Sequence, residues 1–234
     1  MKINEFIDAL KKLNIEVSKE QLNQFEEYYN LLVEWNEKIN LTRIIDKEDV
    51  YLKHFYDSAT IVKIINLNEI DSFCDFGTGA GFPGIVIKIL FPKLNVTLVD
   101  SLNKRINFLN VVIEKLKLDK ITTVHARIED FARENREKFD LVTARAVAAL
   151  PVLLEYATGI VKKDKYFVAM KANIESELEQ SQNAQNLLHL RLINREEFLL
   201  PKENSIRNIL LFQKVEKTNL KYPRNASEIK KKPL

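Results

Sequence analysis

The sequence is short of the residues on which several classes of protein depend. It has one cysteine, Cys74, in 234 residues, which excludes an internal disulfide framework and leaves too few thiolates for a cysteine metal site. No apolar run approaches the ~18 residues that span a bilayer, and residues 1–12 lack the order of a signal peptide. Hydrophobic residues at 46% and charged residues at 29% are ordinary for globular proteins. We therefore expect a soluble, cytoplasmic protein with one catalytic-sized core, no membrane span and no metal.

The net charge of +3 hides an asymmetry between the body of the chain and its end. Residues 214–234 hold seven basic and two acidic side chains, so this tail carries +5 and the rest of the chain −2. A weakly acidic body with a basic tail suits a polyanionic partner, because lysine and arginine neutralise phosphates. The alternative is a solvated and partly frayed C-terminus.

The first 66 residues contain no glycine and have the pattern of amphipathic helices. Apolar side chains recur at helical spacing over residues 6–13 and 22–35, and Ser18 is a suitable N-cap for the second helix. Their aromatic stripe favours core packing over a ligand site. We predict an N-terminal helical cap or substrate platform over residues 1–66, packed on a unit that occupies residues 67–234.

After about residue 69, short β-rich runs alternate with helical patterns. Apolar strands separated by helices predict a mainly parallel sheet covered on both faces, and therefore an α/β fold. The last two runs, separated by Pro201, predict a terminal antiparallel pair. The predicted strands are Ser72 to Phe76, Val96 to Val99, Ile121 to His125, Phe139 to Thr143, Tyr166 to Met170, Arg191 to Leu199 and Ile206 to Val215. The predicted helices lie at about 83–91, 102–117, 129–136 and 148–160.

Four of the five glycines lie within eight residues, in the segment Asp75 to Gly84 (DFGTGAGFPG). Glycines between a strand and a helix let the backbone adopt positive φ and let a ligand approach without interference from Cβ. A tight turn without a ligand would need only one glycine. We therefore predict a ligand-binding loop that includes Gly77, Gly79 and Gly81.

The second β-rich run closes with Val99 and Asp100, and Asp100 lies nineteen residues after Gly81. At this position an acidic side chain can accept hydrogen bonds from the two hydroxyls of an adenosine ribose. The spacing Gly79-x-Gly81-x-x-Gly84 also matches the dinucleotide fingerprint, so a nicotinamide or flavin enzyme is an alternative.

Three features favour S-adenosylmethionine over a dinucleotide. Gly77 comes first, so the spacing is better read as Gly77-x-Gly79-x-Gly81. Asp75 offers a carboxylate to a ligand with cationic amino and sulfonium groups. No Lys or Arg lies between residues 72 and 87 to bind a pyrophosphate, although backbone N–H groups can also do so.

Several segments resemble one known family nearly from end to end. Together with the closing Lys-Tyr-Pro-Arg and Lys-Lys-Pro-Leu, they are similar to the glucose-inhibited division protein B family of small-subunit ribosomal RNA methyltransferases. The Gly-Phe-Pro-Gly-Ile extension combined with Arg-Ala-Val-Ala is much more specific than the glycine loop, which many methyltransferases share. The segments are Trp35 to Thr42 (WNEKINLT), His54 to Ser58 (HFYDS), Asp75 to Ile85 (DFGTGAGFPGI), Leu98 to Leu109 (LVDSLNKRINFL) and Asp140 to Leu150 (DLVTARAVAAL).

The resemblance implies a Rossmann-like class I methyltransferase that transfers the methyl of S-adenosylmethionine to N7 of one guanine in small-subunit (16S) rRNA. It implies that Gly77 and Phe82 line the cofactor loop, that Asp100 holds the ribose, and that Ile128 and Glu129 flank the adenine. An alternative for Glu129 is a helix N-terminal charge favoured by the dipole. The implied partner is small-subunit rRNA, the 30S subunit or an assembly intermediate, and we expect a monomer.

Arg145 ends the fourth predicted strand and is the candidate catalytic residue. Its guanidinium can fork to guanine O6 or a phosphate, or hold the cofactor carboxylate, and a structural salt bridge is the alternative. Guanine N7 carries a lone pair and no proton, so its attack on the methyl needs no general base. We therefore expect His54 to be structural and Cys74 to be an inert core residue.

Three hypotheses stay open at this point. The first is the rRNA guanine-N7 methyltransferase, the second an NAD(P)-dependent oxidoreductase that uses the same loop, and the third a non-catalytic RNA-binding or assembly factor. The first and third both need cations for RNA phosphates. The candidates in the tail are Arg224, Lys230, Lys231 and Lys232.

Overall fold

A computed structural model describes residues 1–234 and is organised around one seven-stranded sheet. The strands are β1 (Ser72–Phe76), β2 (Asn95–Asp100), β3 (Ile121–His125), β4 (Phe139–Arg145), β5 (Val161–Lys171), β6 (Leu190–Leu200) and β7 (Ser205–Lys214). Their order across the sheet is β3-β2-β1-β4-β5-β7-β6. Neighbours from β3 to β5 are parallel, whereas β7 pairs antiparallel with both β5 and β6. The predicted α/β fold with a terminal antiparallel pair is confirmed.

Helices cover both faces of the sheet and form the whole N-terminal part of the chain. None is both long and apolar enough to cross a membrane. Residues 47–63, called the 47–63 segment below, are continuously helical. The helix type changes along the segment, with a π-helix at Val50–Tyr56 and a 3-10 helix at Thr60–Lys63. The α-helices are α1 (Ile3–Lys12), α2 (Lys19–Ile39), α3 (Lys47–Asp49), α4 (Asp57–Ala59), α5 (Gly84–Leu90), α6 (Asn103–Lys115), α7 (Ile128–Glu134), α8 (Leu150–Ile160), α9 (Glu175–Gln180), α10 (Gln182–Leu188) and α11 (Ala226–Lys231).

Helix α2 begins where the sequence predicts it. Ser18 Oγ accepts a hydrogen bond from the Gln21 N–H at 3.1 Å, and Gln21 Oε1 accepts one from the Ser18 N–H at 2.8 Å. This reciprocal pair satisfies two backbone donors that the first helical turn would otherwise leave free. The helix ends at Ile39 and is followed by Asn40, whose left-handed φ of 50° stops the helical repeat.

Two hydrophobic cores lie on opposite faces of the sheet, because successive strand residues point to opposite sides. Phe73 belongs to one core and Cys74 to the other. The buried aromatics of the N-terminal helices, including Phe6 and Phe25 with ring centroids 5.2 Å apart, belong to the same core as Phe73. Residues 1–66 thus share a core with the sheet, while a domain boundary at residue 66 stays a prediction.

The basic tail is anchored on the body of the protein. Arg136 donates to the backbone oxygens of Tyr222 at 2.7 Å and Thr218 at 3.0 Å. Tyr222 and Ile229 are buried, and the Asn225 side chain caps α11. The tail is therefore packed on the body through Tyr222 and Ile229, whereas its last lysines, Lys230, Lys231 and Lys232, are exposed to solvent.

Candidate functional site

The glycine loop joins β1 to α5 at the carboxyl end of the parallel strands. Gly77, Gly79 and Gly81 have φ of 63°, 61° and 99°, a region that L side chains rarely adopt. The Thr78 N–H donates to the Val99 carbonyl oxygen at 3.2 Å, which ties the loop to the end of β2. The sequence placed the loop correctly, between a strand and a helix.

The space around the glycines shows which of them faces a ligand. A Cβ on Gly77 would lie 2.6 Å from Val147, and one on Gly81 would lie 2.7 Å from the Tyr28 hydroxyl. A Cβ on Gly84 would lie 2.2 Å from Leu98. Only at Gly79 is the Cβ direction open, with no atom nearer than 4.0 Å. Close approach by the protein itself explains Gly77, Gly81 and Gly84, whereas Gly79 faces open space.

Asp75 lies underneath the loop and organises it. Its Oδ2 accepts hydrogen bonds from Thr78 Oγ1 at 2.7 Å and from the Gly84 N–H at 2.9 Å. The residue is fully buried, and burial raises the pKa of Asp75 to about 7. Its Oδ1 is buried without a hydrogen-bond partner, so the site lacks one donor that a ligand or a water molecule would supply.

Asp100 connects the end of β2 to the loop. Its Oδ2 accepts from the Gly79 N–H at 2.9 Å, and its Oδ1 accepts from the Leu102 N–H at 2.9 Å. Arg105 pairs with Oδ2 at 3.2 Å from a half-buried position. The carboxylate is thus held at the strand end beside the open face of Gly79, where the sequence predicts a ribose.

Two neighbouring strand ends provide apolar surface next to Asp100. Leu102 follows β2 and is 41% exposed, so it can offer apolar surface beside Asp100. Ile128 begins α7 after β3 and is half-buried, while Glu129 is buried in the first turn of the same helix. Sequence reasoning missed Leu102, although its place two residues after Asp100 is a usable signal.

Arg145 lies at the end of β4, where Ala146 turns the chain with a left-handed φ of 56°. Its guanidinium donates to Asp57 Oδ2 at 2.9 Å and to the Lys53 carbonyl oxygen at 3.2 Å. Asp57 in turn accepts from Arg207 Nε at 2.9 Å. Arg145 therefore joins β4 to the 47–63 segment and, through Asp57, to β7.

Phe82 has a different position from the one expected. Its ring is buried between His54, at 4.4 Å and nearly parallel, and the Arg145 guanidinium, at 5.2 Å. Burial lowers the pKa of His54 to about 3, so the imidazole is neutral at physiological pH. The backbone of Phe82 belongs to the loop, but its side chain joins the loop to the 47–63 segment.

A cavity of about 490 Å³ opens beside Arg145 at the carboxyl ends of β4 and β5. Four of its wall residues are cationic, two are anionic, and His54 is neutral, so it suits a polar ligand with negative charge. No group of three or more His, Cys, Asp or Glu side chains is placed to hold a metal ion. The charged residues are Lys53, Arg145, Lys171, Arg207, Asp57 and Glu177. Of these, sequence reasoning singled out only Arg145, because the others are distant in the chain.

The four predicted RNA-binding residues of the tail divide into two groups. Lys230, Lys231 and Lys232 are exposed on α11 and just after it. Arg224 instead donates to both carboxylate oxygens of Glu155, at 2.9 and 2.7 Å, and Glu155 is fully buried. This pairing raises the pKa of Arg224 and fixes the tail to α8, while a role of Arg224 as an RNA ligand stays a prediction.

Known proteins resemble this chain over its whole length. The family model described as rRNA small subunit methyltransferase G matches residues 21–206. Proteins named ribosomal RNA small subunit methyltransferase G from Bacillus subtilis (strain 168) and Lysinibacillus sphaericus (strain C3-41) are 49% and 48% identical. Both alignments span 100% of this chain, with 99% and 100% of the relatives covered.

A solved structure supports the fold alone. The crystal structure of an S-adenosylmethionine-dependent methyltransferase from Aquifex aeolicus superposes with a TM-score of 0.55 at 17% identity, covering 75% of this chain and 97% of that one. The loop, the acidic strand end and the sheet order agree with a Rossmann-like class I methyltransferase fold. On the family match and the full-length identity, the chain belongs to the rRNA small subunit methyltransferase G family.

Proposed function

We propose that this protein is an S-adenosylmethionine-dependent methyltransferase that methylates N7 of a guanine in small-subunit rRNA. The observation that carries the proposal is the adjacency of two sites at one edge of the sheet. Gly79 and Asp100, hydrogen-bonded to each other at the ends of β1 and β2, border open space that we take as the cofactor groove, and the cavity with four cationic wall residues opens at Arg145 over β4 and β5. The full-length relatives are named for this substrate class.

The groove fits the cofactor through its hydrogen-bonding groups. Asp100 accepts the ribose hydroxyls, the open face of Gly79 admits the ligand, and Leu102 and Ile128 offer apolar surface to the adenine. The unpaired Oδ1 of Asp75 marks a place for one more donor. S-adenosylmethionine supplies an electrophilic methyl on a sulfonium.

The cavity needs only to position the base and exclude water. Guanine N7 has an in-plane lone pair and no proton, so the chain does not need a general base. The neutral His54, whose Nε2 lies 2.9 Å from Thr42 Oγ1, accordingly serves the packing of Phe82. Arg145 holds the nucleotide from the β4 side. We further propose that the protein acts as a monomer in the cytoplasm, which the presence of all these residues in one chain and the rRNA substrate class of its relatives support.

Neutralising the exposed lysines of α11 is expected to weaken RNA binding. In the triple variant Lys230→Gln, Lys231→Gln, Lys232→Gln, each lost phosphate contact lowers the slope of log K against log salt by ~0.7 for single strands or ~0.9 for duplex. Filter binding to small-subunit rRNA over a salt series measures the slope. The control changes three exposed lysines elsewhere to glutamine, Lys115, Lys117 and Lys120. Equal slopes in the two variants would make the tail a bystander.

Calorimetry with S-adenosylhomocysteine and, separately, NADH tests the function first. We expect binding of S-adenosylhomocysteine alone, followed by N7-methylguanine in small-subunit rRNA after incubation with S-adenosylmethionine. Binding of NADH alone would support the oxidoreductase, because the same loop would then hold a pyrophosphate. RNA binding without either ligand would support the non-catalytic assembly factor.

A further inference from the structure

The cavity has two carboxylates, and they differ in how they are used. Asp57 receives one arginine on each oxygen, Arg145 on Oδ2 and Arg207 on Oδ1, both at 2.9 Å. Its side chain is 7% exposed, so it is an internal counter-ion for the two guanidinium groups. Glu177, on α9, has a side chain that is 24% exposed. It is the carboxylate with capacity left for a ligand.

One carboxylate oxygen of Glu177 has protein partners and the other has none. Oε2 accepts a hydrogen bond from the Leu150 N–H at 2.7 Å and forms an ion pair with Lys171 Nζ at 2.8 Å. Lys171 also donates to the Ala148 carbonyl oxygen at 2.9 Å, so the ammonium itself is fixed. No protein group donates to Oε1. A carboxylate anchored through one oxygen presents the other as a pre-organised acceptor in the cavity wall.

Glu177 lies on the β5 side of the cavity, where it contacts Lys171. Arg145 ends β4 and Lys171 ends the neighbouring β5, and such strands lie about 4.8 Å apart. A base whose N7 faces the cofactor side of β4 directs its opposite edge toward β5 and α9. That edge of guanine carries the N1–H and the C2 amine, both donors. Adenine has no C2 amine and an acceptor at N1, which a carboxylate repels.

We propose that Glu177 is a specificity-determining residue, whose Oε1 accepts a hydrogen bond from the C2 amine of the target guanine. The inference rests on the proposed function, since it takes N7 of a guanine as the methylated atom. Lys171 and the Leu150 N–H act as positioning groups that hold the carboxylate. This arrangement gives the chain a reason to choose guanine that does not depend on the N7 atom, which adenine also has.

The test compares guanine with inosine, which lacks only the C2 amine. The methylated position is first mapped by incubating small subunits from a strain without this gene with the protein and S-adenosylmethionine, and then cleaving the rRNA at N7-methylguanine. The RNA is then rebuilt by ligation with guanine or inosine at that position, and single-turnover rates are measured. The native protein should prefer guanine about tenfold or more, because a hydrogen bond to a charged acceptor is lost with inosine. In Glu177→Gln the ratio of the rate on guanine to the rate on inosine should fall toward one.

Two controls separate specificity from structure. Glu179→Gln, an exposed carboxylate on the same helix, should keep the native preference. S-adenosylhomocysteine affinity and circular dichroism report whether Glu177→Gln remains folded, and the native guanine to inosine ratio tests the proposal without any variant. Equal rates on the two bases with the native protein would overturn the proposal, as would an unchanged ratio in Glu177→Gln. Failure to find N7-methylguanine at all would instead count against the proposed function.

Discussion

Replacing Arg145 by methionine is expected to lower kcat/KM for methyl transfer to rRNA by about 100-fold or more, in line with the loss of one charged group in an enclosed site. The affinity for S-adenosylhomocysteine should change less than about threefold. The guanidinium is engaged by Asp57 and by the Phe82 face on the cavity side. Steady-state kinetics with small subunits and calorimetry measure the two quantities.

Arg145→Lys supplies the conservative comparison. The lysine ammonium keeps the charge but cannot contact Asp57 and also make a bidentate contact with a nucleotide. We therefore expect kcat/KM of Arg145→Lys to stay close to that of Arg145→Met. Asp57 retains Arg207 as a counter-ion in both variants, and the loss in Tm should stay near 5 °C. Arg191→Met, on the outer strand β6, controls for loss of a surface charge. A collapse of S-adenosylhomocysteine affinity in Arg145→Met would reassign the arginine to the cofactor carboxylate.

Changing Asp100 to alanine is expected to weaken S-adenosylhomocysteine binding by about 100-fold. The variant loses an acceptor for the ribose hydroxyls and also the hydrogen bonds to the Gly79 and Leu102 N–H groups, which shape the groove. Hydrogen bonds to a charged group contribute ~1.5–3 kcal/mol each, so loss of even one or two accounts for this factor. Calorimetry measures the affinity, and far-ultraviolet circular dichroism checks the fold.

Asp119→Ala is the matched control for this variant. Its carboxylate is 78% exposed and contacts only Lys88, at 4.0 Å. We expect native affinity in this variant. The S-adenosylhomocysteine affinity of Asp100→Asn should lie between those of Asp119→Ala and Asp100→Ala. The amide oxygen still accepts one hydrogen bond, while the amide nitrogen opposes the second donor. Native S-adenosylhomocysteine affinity in Asp100→Ala would remove the ribose assignment.

The parallel strands were predictable because each is a short apolar run between helical patterns. β1 and β3 have the predicted bounds, and β2 and β4 differ by one or two residues at an end. β5 is longer than expected: its first part, Val161–Lys165, is rich in lysine and is paired only locally with β4. The sequence carries no hydrophobic pattern there, so tertiary pairing decides.

The helices that were missed lack an apolar stripe. α9 buries none of its residues, and α10 buries only Ala184 and Leu188. Both follow β5 and lie against α8, so their helical structure depends on tertiary contacts and local propensity. Missing α9 also meant missing a residue of the cavity wall, because α9 carries Glu177, which no sequence pattern indicated.

The sequence by itself determined the α/β alternation, the glycine loop and the acidic end of β2, because each is set within a few residues by periodicity, backbone freedom and turn chemistry. Only the tertiary structure decided which charged side chains meet. Arg145, Asp57 and Arg207 are separated by up to 150 residues and converge through sheet order and packing of the 47–63 segment. Packing of the C-terminal tail on α8 pairs Arg224 with Glu155, and packing of the 47–63 segment on the glycine loop stacks His54 on Phe82. Charge and ring type are visible in a sequence, but their partners are fixed only by the fold.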